Sequence, residues 1–120
     1  MINLLQHTRR PDIHFNRNGK IRLSAKITRT LSLQSGDSIS IAFHNNEFLL
    51  HAMHHSTTNH LATCRPSKRG SRNFIANSTA LVKALFNAAG INTQTAAFPV
   101  GDPVHINGKS YLPIITKHPL

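Results

Sequence analysis

Asn18-Gly19 stands between two stretches, DIHF and KIRLS, that alternate polar and apolar residues. Asn-Gly tolerates positive φ and closes tight hairpins. Alternation with a period of two marks a strand with one buried face. Strands this short are marginal even as a lone hairpin, so the hairpin must lie on further structure. The chain therefore has to be assembled from small paired pieces that share a core.

Downstream, Ser24 has the hydroxyl of an N-cap, which accepts from an orphan amide of a first helical turn. Ile27 and Leu31 follow four apart on one helical face, and Lys26 and Arg29 fall away from it. The spacing predicts a short helix over residues 25–31. LQSGD is its exit, with Gly36 free to turn left-handed. SISIAF then alternates again, HNN is a turn, and EFLLHA returns as a strand. The order is strand, strand, helix, strand, strand (ββαββ).

The pattern recurs. LATCR reads as a strand, PSKRGS as a basic turn and RNFIAN as a strand; Ser78 then caps a helix carrying Leu81 and Leu85. These are the offsets of Ile27 and Leu31 from Ser24. Ser24 and Ser78 lie 54 positions apart, and the two Gly-Asp pairs, Gly36-Asp37 and Gly101-Asp102, lie 65 apart. The second copy thus carries about eleven extra residues within residues 86–100. PVHI, the turn NGK and SYLPIIT complete it, with Pro103 and Pro113 suggesting edge positions or irregular pairing. The expected organisation is a basic arm at 1–11, one unit at 12–52, a polar linker at 53–60 and a divergent unit at 61–117 sharing one core with the first.

The first unit, residues 12–52, resembles the AbrB/MazE/SpoVT swapped-hairpin (looped-hinge helix) DNA-binding family. The resemblance lies in Gly19 at the hairpin turn, Ile21 and Leu23 alternating in the second strand, Leu31 near the helix end, and Gly36-Asp37 before the strand that starts at Ile39. Many members have Pro soon after the second strand, whereas this chain has Ser24-Ala25. The resemblance implies a mainly β fold with short helices (α+β), in which two ββαββ units exchange hairpins to close a small pseudo-symmetric β-barrel. The two units would pair within one chain, or two chains would pair as a homodimer. It also implies a DNA-binding transcription regulator or an antitoxin, with DNA met by basic hairpin and loop residues.

Composition points the same way. Fourteen Lys and Arg face four acids, for a net charge of +10 with nine His neutral. Such a balance favours a polyanionic partner, with DNA or RNA ahead of a membrane surface and duplex DNA as the partner expected here. Cations cluster in both hairpins: Arg17, Lys20 and Arg22, backed by Arg9 and Arg10, and then Arg65, Lys68, Arg69 and Arg72. A two-fold relation between the units would bring both clusters to one surface. Asn16 and Asn18 are read as turn formers rather than as base readers. The alternative is a protein-interaction module, antitoxin-like or adaptor, whose basic face docks an acidic protein. Only TKHPL follows the last expected strand, which disfavours an antitoxin that wraps its toxin with a long tail.

Other chemistries find little support. Four acids give no carboxylate pair, and neither a Gly-rich phosphate loop nor Gly-x-Ser-x-Gly occurs. No enzyme activity and no cofactor are expected. Cys64 is the single cysteine, so neither an internal disulfide nor a multi-Cys zinc site can form, and a semi-buried hydrophobe is the simplest role for it. His51, His54, His55 and His60 crowd one segment without a carboxylate or Cys, and a polar linker is preferred to a metal site. No apolar run reaches the ~20 residues of a membrane span. The N-terminus lacks a signal-peptide core. A soluble cytoplasmic protein is expected.

Overall fold

The computed structural model describes residues 10–54 and 62–116. The elements are β1 (Ile13–Asn16), β2 (Lys20–Leu23), α1 (Ala25–Thr30), β3 (Ser38–His44), β4 (Glu47–Met53), β5 (Arg65–Pro66), β6 (Phe74–Asn77), α2 (Thr79–Ala89), β7 (Thr95–Phe98), β8 (Val104–Ile106) and β9 (Lys109–Ile114). The protein is mainly β with two short helices. The strands form two antiparallel sheets, ordered β5-β6-β2-β1-β7 and β3-β4-β9-β8.

The hairpin at Asn18-Gly19 forms where its sequence places it. Ile13, Phe15, Ile21 and Leu23 are buried, while Lys20 and Arg22 face outward. Gly19 takes φ +102°, and an added Cβ would lie 2.8 Å from the Thr79 amide nitrogen. Its carbonyl accepts from the Ser78 amide at 2.9 Å. The first hairpin therefore docks on the N-terminus of α2. On the other side, the Ala25 amide at the start of α1 donates to Asn73 Oδ1 at 3.0 Å, just before β6. Each hairpin reaches the helix that follows the other.

Exchanging β1 with β5, β2 with β6, β3 with β8 and β4 with β9 reproduces the order β5-β6-β2-β1 and the order β3-β4-β9-β8, each read backwards. Neither sheet belongs to one half of the chain. One core cluster joins Phe15, Ile27 and Leu50 from the first half to Phe86, Val100 and Leu112 from the second.

Three expectations are corrected, and one element is added. The sheets do not close into a barrel: β5 and β7 edge one, β3 and β8 the other. The strand anticipated from residue 61 begins only at Arg65, because residues just before it bond to the start of β3 instead, with the Ile39 amide donating to the Ala62 carbonyl at 3.0 Å. The stretch that carries the extra residues adds β7, which pairs with β1 from Ile13↔Phe98 to Asn16↔Thr95. Pro113 lies in an inner strand opposite Leu49, not on an edge. Its carbonyl accepts from Gly101 at 2.8 Å, so its missing N–H points to the side where pairing with β8 has already ended. The two Gly-Asp pairs also differ. Asp37 is buried and accepts from the Gln34 amide at 2.8 Å, while Asp102 is exposed.

Candidate nucleic-acid interface

The outer face of the five-stranded sheet is set by alternation. In β2 the buried Ile21 and Leu23 force Lys20 and Arg22 to the solvent side. The register aligns Arg22 with His14 of β1 and with Ile75 of β6. Arg65 lies opposite Ile75, and Ala97 opposite His14. One lateral row therefore reads Arg65, Ile75, Arg22, His14, Ala97. Arg65 and Arg22 are two strands apart, about 10 Å, and Lys20 lies about 7 Å along the strand from Arg22. No strand residue of this sheet is acidic.

Two open hollows flank the row. One, about 320 Å³, is lined by Asp12, His14, Arg22, Asn73 and Ile75. The other, about 510 Å³, is lined by His14, Lys20, Arg22 and Thr95. Asp12 is engaged within the fold, accepting from the Val100 amide at 3.1 Å. Burial and then the nearby Arg22 hold the pKa of His14 below the usual 6.5, so its imidazole is neutral at pH 7.

The nine basic residues named from the sequence separate into distinct groups. Lys20, Arg22 and Arg65 share the outer sheet face. Lys68 and Arg69 are exposed at the tip of the β5–β6 hairpin, where Gly70 takes φ +77°. Arg72 is exposed beyond that tip, and its carbonyl accepts from Thr28 Oγ1 at 2.9 Å. Arg10 is exposed ahead of β1, and Arg9 lies outside the described residues.

Arg17 behaves differently. Its Nε donates to the Thr93 carbonyl and its Nη2 to the Ile91 carbonyl, both at 2.6 Å. Its guanidinium carbon sits 4.9 Å from the centre of the Phe86 ring. These partners follow or belong to α2, so Arg17 fastens the first hairpin to the end of that helix. Asn16 and Asn18 likewise serve the turn. Asn16 Oδ1 accepts from the Asn18 amide at 3.0 Å, and Asn18 Oδ1 from the Lys20 amide at 2.9 Å.

Two residues join the surface that the sequence did not single out as contacts. Arg29, on the outer side of α1, lines a hollow together with Arg72. His14 stands in the central row beside Arg22. The polar alternation of DIHF already turned His14 outward. The meeting of Arg29 with Arg72 had no local signal, because it depends on a hairpin crossing to the other half's helix.

The remaining reactive groups are engaged elsewhere. Cys64 is buried, and burial, then the nearby Asp37, push its thiol up to about 12. It stays a thiol at neutral pH, whereas a nucleophile needs the thiolate. His54 Nδ1 meets Asp37 Oδ2 at 2.7 Å. His51 stacks near Tyr111, and its Nδ1 is buried without a hydrogen-bond partner among the described residues. His55 and His60 lie outside those residues. Among the described residues no three His, Cys, Asp or Glu side chains gather where one metal ion could hold them. No helix there is long and apolar enough to cross a membrane. Comparison of the chain with protein-family models, with curated proteins and with solved structures returns no match in any of the three.

Proposed function

We propose that this protein binds duplex DNA through the outer face of its five-stranded sheet, continued by the tip of the β5–β6 hairpin, and acts in that way as a transcription regulator. The supporting observation is the lateral row. It puts Arg22 and Arg65 about 10 Å apart with Lys20 alongside, on a face whose strands carry no carboxylate. A surface of this kind suits phosphates, which need cations presented together and facing one way. The strand residues that face outward there include no Phe, Tyr or Trp, and the half-buried His14 is their one ring, so successive bases of a single strand would lack a stacking platform. A duplex backbone is the better fit. Membership of the AbrB/MazE/SpoVT group belongs to the same proposal, since exchanged hairpins and a symmetric strand order are what the resemblance implied.

The test is fluorescence anisotropy with a labelled duplex over a range of salt. The triple variant Lys20→Ala, Arg22→Ala, Arg65→Ala should weaken binding and reduce the slope of log K against log salt by up to about three. Lys83→Ala, an exposed change on α2, should leave the slope nearly unaltered. If the triple variant binds as the parent does, this face is not the contact surface. If the parent shows no duplex affinity at low salt, an acidic protein becomes the partner to seek.

A further inference from the structure

The four sheet edges are not alike. β5 contains Pro66, β7 is followed by Pro99 and β8 is preceded by Pro103. Proline at or beside an edge blunts it against pairing with another chain. β3 has no such guard. It is seven residues long and contains no Pro, Lys or Arg.

Its backbone is half covered. The Ile39 amide points away from β4 and donates to the Ala62 carbonyl, and the Asp37 carbonyl accepts from Cys64. Outward groups recur every second residue along a strand, so the N–H and C=O of Ile41 and Phe43 also point away from β4. Among the described residues nothing pairs with them. Phe43, at the open end, is 62% exposed and lies against Phe48 at 4.9 Å between ring centres.

Charge identifies the occupant. Between Arg29 and Arg65 the chain has no Lys or Arg, while Asp37 and Glu47 fall in that stretch. β3 and β4 therefore carry no Lys or Arg in a protein with net charge +10, and Lys109, which acts on His51, belongs to β9 on the side of β4 away from β3. An acidic segment would be drawn to the basic faces, not here. A second copy could approach here without strong repulsion.

We propose that two copies of the chain pair through β3, antiparallel about a two-fold axis at Ala42. Ile41 of one copy would then exchange both hydrogen bonds with Phe43 of the other, and Ala42 would face Ala42 about 4.5 Å away between Cα atoms. The two four-stranded sheets would run on as one, and each Phe43 would be covered. This pairing adds to the hairpin exchange inside one chain and does not depend on DNA binding.

The chain of 120 residues is tested without DNA by sedimentation equilibrium across a concentration series. The parent should approach twice its 13.3 kDa mass as concentration rises. Phe43→Lys, a change at an exposed position, should weaken association by at least about tenfold with the same circular dichroism spectrum. Ala42→Cys should give a disulfide-linked dimer under mild oxidation, since that Cα separation falls in the range a disulfide spans, whereas the buried Cys64 of the parent should give none. A parent that stays monomeric at its highest soluble concentration overturns the proposal. So does a dimer that Phe43→Lys leaves intact and Ala42→Cys fails to link.

Discussion

At the scale of single residues, Arg17 separates charge from function. By type and place it belongs with the basic hairpin, yet its guanidinium holds two carbonyls beyond α2 and lies near Phe86. Arg17→Ala should therefore cost stability, about 1–3 kcal/mol, through lost charged hydrogen bonds and ring contact. Chemical denaturation measures it, and an unchanged midpoint would refute the fastening role. Gly19 is constrained twice, by φ +102° and by the approach of Thr79. Gly19→Ala should destabilise by at least the ~1–3 kcal/mol of a strained backbone, read as a lower melting temperature. His51 gives a pH dependence. Burial, then Lys109, hold its pKa below 6.5, against a weaker opposing influence of the Ala52 backbone. The unfolded chain thus takes up the proton more readily. Its contribution is whole above pH 6.5 and is lost as pH falls toward the lower folded value. His14 shifts in the same direction. Stability measured from pH 7.5 down to 5 should decline, and His51→Gln should flatten that decline.

At the scale of elements, the two helix caps are similar in sequence and unequal in strength. Ser78 Oγ accepts from the Leu81 amide at 3.1 Å, whereas Ser24 Oγ stands 3.5 Å from the Ile27 amide. The start of α1 has a second source of satisfaction in Asn73, whose Oδ1 takes the Ala25 amide. α2 is also the longer helix and buries Val82, Leu85 and Phe86. Ser78→Ala should accordingly cost about 1 kcal/mol, and Ser24→Ala less. Equal losses in urea titrations would count against this ranking. β7 is the element the alternation rule missed. TAAF carries two small residues in its middle and shows no clear polar–apolar contrast. It pairs because β1 leaves an edge open on that side.

At the scale of the whole molecule, charge is segregated. Among the described residues most cations gather on the five-stranded sheet, its hairpins and the ends of α1, with Lys83 on α2 and Lys109 on β9 set apart, while β3 and β4 hold no Lys or Arg. The two proposed surfaces can then be altered independently. Phe43→Lys should shift the mass in solution while intrinsic duplex affinity per chain stays within about threefold, since additivity holds for distant sites. The Lys20, Arg22, Arg65 variant should do the reverse. Duplex titrations and sedimentation on the same two preparations decide it, and a mixed response in either would place the two surfaces together.

Most of the local structure was legible in the residues. Alternation marked β1 through β3 because a strand's period of two is visible over a few residues, and the turn HNN marked β4 as the returning strand. Ser24 and Ser78 marked the helix starts because capping is a contact between near neighbours. Asn-Gly marked two turns for the same reason, and the net charge of +10 was a sum over the chain. What tertiary structure decided lies between residues far apart. Arg17 was withdrawn from the surface by carbonyls more than seventy positions away. The barrel gave way to two open sheets, β7 found its edge, and Arg22 came into line with Arg65 only through the register of β6 between them. Period and propensity act over one or two turns of chain, and register and packing are settled only when the two halves meet.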